Sequence, residues 1–76
     1  MAAYTLRQLK YFVTTVEAGS VAEASRQLYI AQPSISTAIK SLEESFGVQL
    51  FIRHHAQGVS LTPSGKRFYA CLLYTS

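Results

Sequence analysis

SVAEASRQLYIAQPSISTAIKSLEESF, residues Ser20 to Phe46, decides the fold. It reads as two short helices joined by a tight turn: Val21 to Leu28, then Tyr29 to Ala31 as the turn, then a second helix with Pro33 in its first turn. In that second helix Ile35, Ile39, Leu42 and Phe46 recur at spacings of four, three and four. At about 100° per residue they share one narrow face. Pro33, Ser36, Thr37 and Lys40 fall opposite, short polar groups and one cation without a carboxylate. A helix that only met solvent would carry alternating charges there. Such a face suits something flat and negative, and the major groove of duplex DNA fits that description.

The flanks extend this unit in both directions. Thr5 with Gln8 is a capping-box pattern that opens a first helix, whose apolar stripe is Leu6, Leu9, Phe12, Val13 and Val16. Gly19 ends it, and Ser20 with Glu23 predicts a second box. Each box is worth about 1 kcal/mol, which makes these boundaries firm. Ala22, Ala24 and Ser25 are small enough for another helix to cross closely, and Ile30 is expected to point inward and pin the turn. Gly47 closes the third helix. Beyond it Val48, Leu50 and Ile52 alternate with Gln49, Phe51 and Arg53, a strand signal, and Val59 to Leu61 read as the returning strand after a loop from His54 to Gly58. Thr62-Pro63 then starts a helix carrying Phe68, Leu72 and Leu73.

Bulk properties narrow the class. Seventy-six residues make one small domain, and a chain of that size buries only about 60% of its unfolded surface. Net charge is +3, and all four acids (Glu17, Glu23, Glu43, Glu44) precede Ser45 while Arg53, Lys66 and Arg67 follow it. A 49% hydrophobic fraction with 14% charged residues is more apolar surface than so small a domain houses alone, which predicts an oligomer or a further domain. Cys71 is the one cysteine, so no internal disulfide forms, and its expected role is packing. The N-terminus lacks a signal-peptide layout, and the longest uncharged run, Gln27 to Ile39, is short and holds Pro33. No membrane span and a cytoplasmic location are expected. There is no Asp, no glycine-rich phosphate loop and no carboxylate pair set for acid–base work, so neither enzyme activity nor a cofactor is expected. His54-His55 are adjacent, point apart along extended chain and lack a further nearby ligand, so no metal site is expected.

Helix, helix-turn-helix, two-stranded wing and a last helix, in this order, resemble the DNA-binding domain of LysR-type transcriptional regulators. The stretches that carry the resemblance are LRQLKYFVTTVEAGSVAEASRQLYIAQPSISTAIKSLEESFGVQLFIR and GVSLTPSGKRF, together about Leu6 to Ala70. The more specific parts are Gly19-Ser20, Gln32-Pro33-Ser34, Leu42-Glu43, Leu50-Phe51 and Leu61-Thr62-Pro63-Ser64-Gly65. The resemblance implies a mainly α winged helix-turn-helix: a three-helix core, a two-stranded β wing and a C-terminal linker helix. Residues 1–61 would form the DNA-binding domain, and 62–76 the start of a helix that pairs with its twin in a homodimer. A C-terminal α/β domain that binds a small-molecule effector belongs to the family and is absent from this chain. The last six residues, CLLYTS from Cys71, fit poorly with what precedes them and are expected to be a non-native continuation.

The partner implied is double-stranded DNA, bound to regulate transcription. Near the start of the third helix Gln32 would read adenine edges, and Ser36 and Thr37 would meet base edges or a thymine methyl. Pro33 and Ser34 lie beside them, and Lys40 would pair with phosphate. Arg53 at the root of the wing would reach phosphate or the minor groove, and His54 would make a polar contact at its tip. The chain departs from the family's pattern where arginine often stands at Thr37, serine at Ala31, a hydroxyl at Ala22 and more basic residues at His54-His55. Two rivals remain open: a winged helix that docks on another protein, and a folded but inert fragment.

Overall fold

In the computed structural model, which describes residues 5–54 and 58–75, the chain forms four helices and one two-stranded sheet. In chain order these are α1 (Leu6–Ala18), α2 (Val21–Leu28), α3 (Gln32–Phe46), β1 (Phe51–Arg53), β2 (Val59–Leu61) and α4 (Pro63–Thr75). This is the winged helix-turn-helix that the sequence predicts.

Local chemistry sets the helix boundaries. Thr5 Oγ1 accepts from the Gln8 N–H at 3.2 Å, and the Gln8 side chain accepts from the Thr5 N–H at 2.9 Å, so the first capping box is complete. The second is only half made. Ser20 Oγ accepts from the Glu23 N–H at 3.1 Å, but Glu23 turns its carboxylate to Arg26, whose Nε lies 3.1 Å away. A guanidinium bonds a carboxylate more strongly than a backbone N–H does. The same hydrogen bond, helped by the charge on Arg26, holds the Glu23 carboxyl below the ordinary carboxylate range. α2 stops on Tyr29 in the left-handed region (φ 56°), and the Ile30 N–H bonds back to the Ser25 carbonyl at 3.1 Å. That bond turns the chain so that Ile30 packs against the core. α3 ends in paired bonds, Gly47 N–H to the Glu44 carbonyl and Val48 N–H to that of Glu43, with Gly47 at φ 67°.

Phe12, Ala24, Ile35, Ile39, Leu42, Leu50 and Phe51 form the buried core. The Phe12 ring sits among Phe51, Phe68 and Tyr69, with centroids 5.2, 5.1 and 6.4 Å away. Two stripe positions differ from expectation. Leu6 is 84% exposed, because it belongs to the stripe by angle but lies in the terminal turn, past the elements that cover Leu9 and Phe12. Phe46 is 39% exposed at the end of α3, where its ring packs on Phe68 at 4.8 Å.

The wing also departs from the alternation in the sequence. β1 pairs antiparallel with β2, Phe51 opposite Leu61, Ile52 opposite Ser60 and Arg53 opposite Val59. Leu50 and Phe51 are buried in succession, while Val48 and Ile52 are exposed. The reason is that Leu50 is not part of the ladder. Its N–H and that of Phe51 bond the Glu43 carboxylate, and its carbonyl accepts from the Thr62 N–H at 3.0 Å. The paired strand therefore starts at Phe51, with Ile52 and Arg53 both exposed. Thr62 Oγ1 caps α4 by accepting from the Gly65 N–H at 2.9 Å. At Gly65 a β carbon would fall 2.2 Å from the Leu50 carbonyl oxygen, so only glycine lets α4 approach the wing root. α4 is tied to α1 by the Tyr69 hydroxyl, which donates to Glu17 at 3.3 Å. Partial burial, and then the Glu17 charge, push the Tyr69 phenol above its ordinary range. Among the described residues no helix is long and apolar enough to cross a membrane.

Candidate nucleic-acid interface

α3 is divided lengthwise. Ile35, Ile39 and Leu42, each no more than 3% exposed, anchor one face in the core, and the N-terminal half of the other face is open. Gln32, Pro33, Ser34, Thr37 and Lys40 are exposed there, and Ser36 is half-buried. Ala31 occupies the cap position and offers no side-chain bond to the helix start.

The structure sorts the expected contact residues into three groups around this helix. Gln32, Arg53 and His54 line one hollow with Ser20, Val21 and Ala22, so the start of α3, the wing and the beginning of α2 meet in one place. Pro33, Ser34 and Thr37 line a second groove, shared with Arg7, Gln8 and Tyr11 of α1. Lys40 stands apart, about 12 Å further along the helix from Gln32 at 1.5 Å per residue. It borders a third groove with Glu43 and Glu44, and so lies toward the middle of α3 rather than at its start. Ser36 lines none of these hollows. His54 is engaged across the wing, its Nε2 lying 2.7 Å from Ser60 Oγ, and its backbone N–H bonds the Gly58 carbonyl at 3.3 Å. His55, the other half of the expected wing tip, lies outside the described residues.

Two residues of this surface were not anticipated from sequence. Arg7 is exposed in the first turn of α1, on the groove that Thr37 and Ser34 line. A cation in a first turn opposes the helix dipole, and that local disfavour is the signal that marks it. Glu43 is the second: its carboxylate is spent on the wing's backbone and is not turned to the face that Gln32 and Thr37 present. The surface around the start of α3 can therefore offer amide, hydroxyl and guanidinium donors to an anionic partner along a convex helix flanked by two hollows.

Comparison with known proteins agrees with this geometry. The model of the "Bacterial regulatory helix-turn-helix protein, lysR family" matches residues 6–66. The HTH-type transcriptional regulator TfdS of Cupriavidus pinatubonensis is 50% identical over 62 residues, which make up 82% of this chain and 21% of TfdS. The chain thus spans about a fifth of the length of the curated relatives it matches. The structure of HinK, a LysR family transcriptional regulator from Pseudomonas aeruginosa, superposes with a TM-score of 0.78 and 78% identity, covering 90% of this chain and 21% of HinK. The DNA-binding domain of BenM, a regulator of Acinetobacter baylyi, in complex with benA site 1 DNA, superposes with a TM-score of 0.85 and 42% identity. That match covers 93% of this chain and 79% of the BenM domain. On its sequence and on its fold, the chain belongs to the lysR family of bacterial regulatory helix-turn-helix proteins.

Proposed function

We propose that this chain binds duplex DNA in a sequence-selective way as the reading module of a transcription regulator. α3 enters the major groove, and the wing and the start of α1 lie on the flanking backbone. The observation that carries the reading is the split character of α3. Ile35, Ile39 and Leu42 of its apolar face are buried in the core, while its open half carries Gln32, Ser34 and Thr37 between a hollow containing Arg53 and a groove containing Arg7. The side chains there are amides and hydroxyls that match base edges, and the cations stand to the sides where phosphates run. The BenM domain, which shares the fold, is seen on DNA.

In this arrangement Gln32, Ser36 and Thr37 read bases, with Pro33 and Ser34 against the groove wall. Lys40, Arg53 and Arg7 meet phosphates, and His54 adds a polar contact at the wing. α4 begins a helix that pairs two copies. As a bacterial regulator reading the chromosome, the protein would act in the cytoplasm.

The test is a titration against mixed-sequence duplex at several salt concentrations. Binding that weakens as salt rises is expected, and Lys40→Glu should flatten the slope of log K against log salt by about one. An unchanged slope would remove Lys40 from the phosphate contacts. Absence of any salt-dependent binding by the unaltered chain would favour a winged helix that docks on another protein.

A further inference from the structure

The Glu43 carboxylate is the one acidic group on α3 that reaches across to another element through hydrogen bonds. Its Oε2 accepts from two successive backbone donors, the Leu50 N–H at 2.7 Å and the Phe51 N–H at 3.1 Å. The same residue's carbonyl accepts from the Val48 N–H at 3.2 Å, so Glu43 holds both the chain that leaves α3 and the chain that enters the wing. Two residues beyond Phe51 is Arg53, and Glu43 and Arg53 line one hollow together with Ile39, Phe51 and Val59. The opposite side of this junction is equally fixed: the Leu50 carbonyl accepts from Thr62, and the β2 residue Val59 donates to the Gly19 carbonyl at 3.0 Å. β1 has only three residues and one partner strand, so its own ladder cannot set its angle to α3.

We infer that Glu43 is a positioning residue for the wing: its carboxylate oxygen, bridging two amides, fixes the angle between the recognition helix and Arg53, and thereby the spacing between base reading and phosphate contact. The inference rests on the DNA-binding reading above. It also makes a distinction that a plain charge effect does not. Both amides bond a single oxygen, so on this inference the requirement falls on an acceptor at that distance rather than on the negative charge.

Two conservative variants separate the alternatives. Glu43→Gln keeps an oxygen at full reach and removes the charge; Glu43→Asp keeps the charge and shortens the reach by one methylene. The 76-residue chain is titrated with mixed-sequence duplex at several salt concentrations, and amide hydrogen exchange is followed at Leu50, Phe51 and the core of α1. Arg53→Ala should lower the salt slope by about one. Glu43→Asp should lower it by the same amount, lose exchange protection at Leu50 and Phe51, and show no further fall when combined with Arg53→Ala. Glu43→Gln should keep both the slope and the protection. Protection in α1 should persist in every variant, which separates a moved wing from an unfolded domain. A Glu43→Asp protein with the unaltered slope, or a Glu43→Gln protein behaving like Arg53→Ala, overturns the proposal. If Arg53→Ala leaves a salt-dependent slope untouched, the positioning role falls and the DNA reading stands. If the unaltered chain shows no salt-dependent binding, both fall.

Discussion

At the scale of single residues, the most informative positions are those where the backbone asks for something the side chain does not favour. Tyr29 is the positive-φ residue other than glycine among those described, at φ 56°. It is also 95% exposed, so no burial compensates for the left-handed conformation. That conformation costs an L-residue about 1–2 kcal/mol. Tyr29→Gly should therefore stabilise the chain by about 0.5–1 kcal/mol, the relief being partly offset by the greater entropy of an unfolded glycine. Urea denaturation at constant m-value measures this; a loss of stability would mean that the tyrosine ring makes a contact its exposure does not reveal. Gly65 presents the opposite case, an ordinary backbone conformation in a place with no room. Its requirement comes from the Leu50 carbonyl across the wing root, a contact between positions fifteen apart that no local pattern can announce.

At the scale of elements, caps explain both what is stable and what is left incomplete. Thr5, Ser20 and Thr62 each place a hydroxyl on a helix start. α3, which carries the proposed reading surface, begins instead on Ala31, extended at φ −63° and ψ 141° and without a side-chain bond. Ala31→Ser should add that bond and stabilise the chain by about 0.5–1 kcal/mol, seen as a raised melting temperature. No rise would show that the first-turn donors of α3 are already satisfied by the Ala31 carbonyl, to which the Ser34 and Ile35 N–H groups turn. The same capping chemistry is why the helices were legible in the sequence. Thr5, Gly19, Ser20, Pro33, Gly47 and Thr62 act within a few residues of themselves, and Ile35, Ile39 and Leu42 repeat with the helical period. The wing was legible only as an alternation, and its phase was not. Leu50 is claimed by Glu43 on one side and Thr62 on the other, so the ladder begins at Phe51, three residues after the Val48 at which the alternation starts. The proposed reading face of α3 is visible as an absence of acids, whereas Arg7 reaches it only through the crossing of α1 over α3. That crossing is tertiary, and an isolated first-turn arginine does not encode it.

At the scale of the whole molecule, the question is how a net charge of only +3 would support the proposed binding to a polyanion. Part of the answer lies in where three of the four acids are held; the fourth, Glu44, borders the groove that Lys40 lines. Glu23 is paired with Arg26, Glu17 accepts from Tyr69 between α1 and α4, and Glu43 holds the wing backbone. Arg7, Arg53 and Lys40 are exposed around α3 in a body only 32 × 23 × 22 Å across. A helix of fifteen residues spans about 22 Å at 1.5 Å per residue, so on the proposed reading these cations would border one stretch of major groove. Each phosphate neutralised contributes about 0.9 to the salt slope. Three such cations predict a slope of about −3 for one chain on mixed-sequence duplex, and roughly twice that for a pair of chains bound side by side. Measured across protein concentration, the slope therefore reports charge placement and assembly together. A value that stays near −3 at all concentrations indicates that single chains bind, and a steepening toward −6 indicates pairing on DNA. A slope shallower than about −1 would show that the cations around α3 do not act on a common partner, because net charge without placement cannot release counterions from one site.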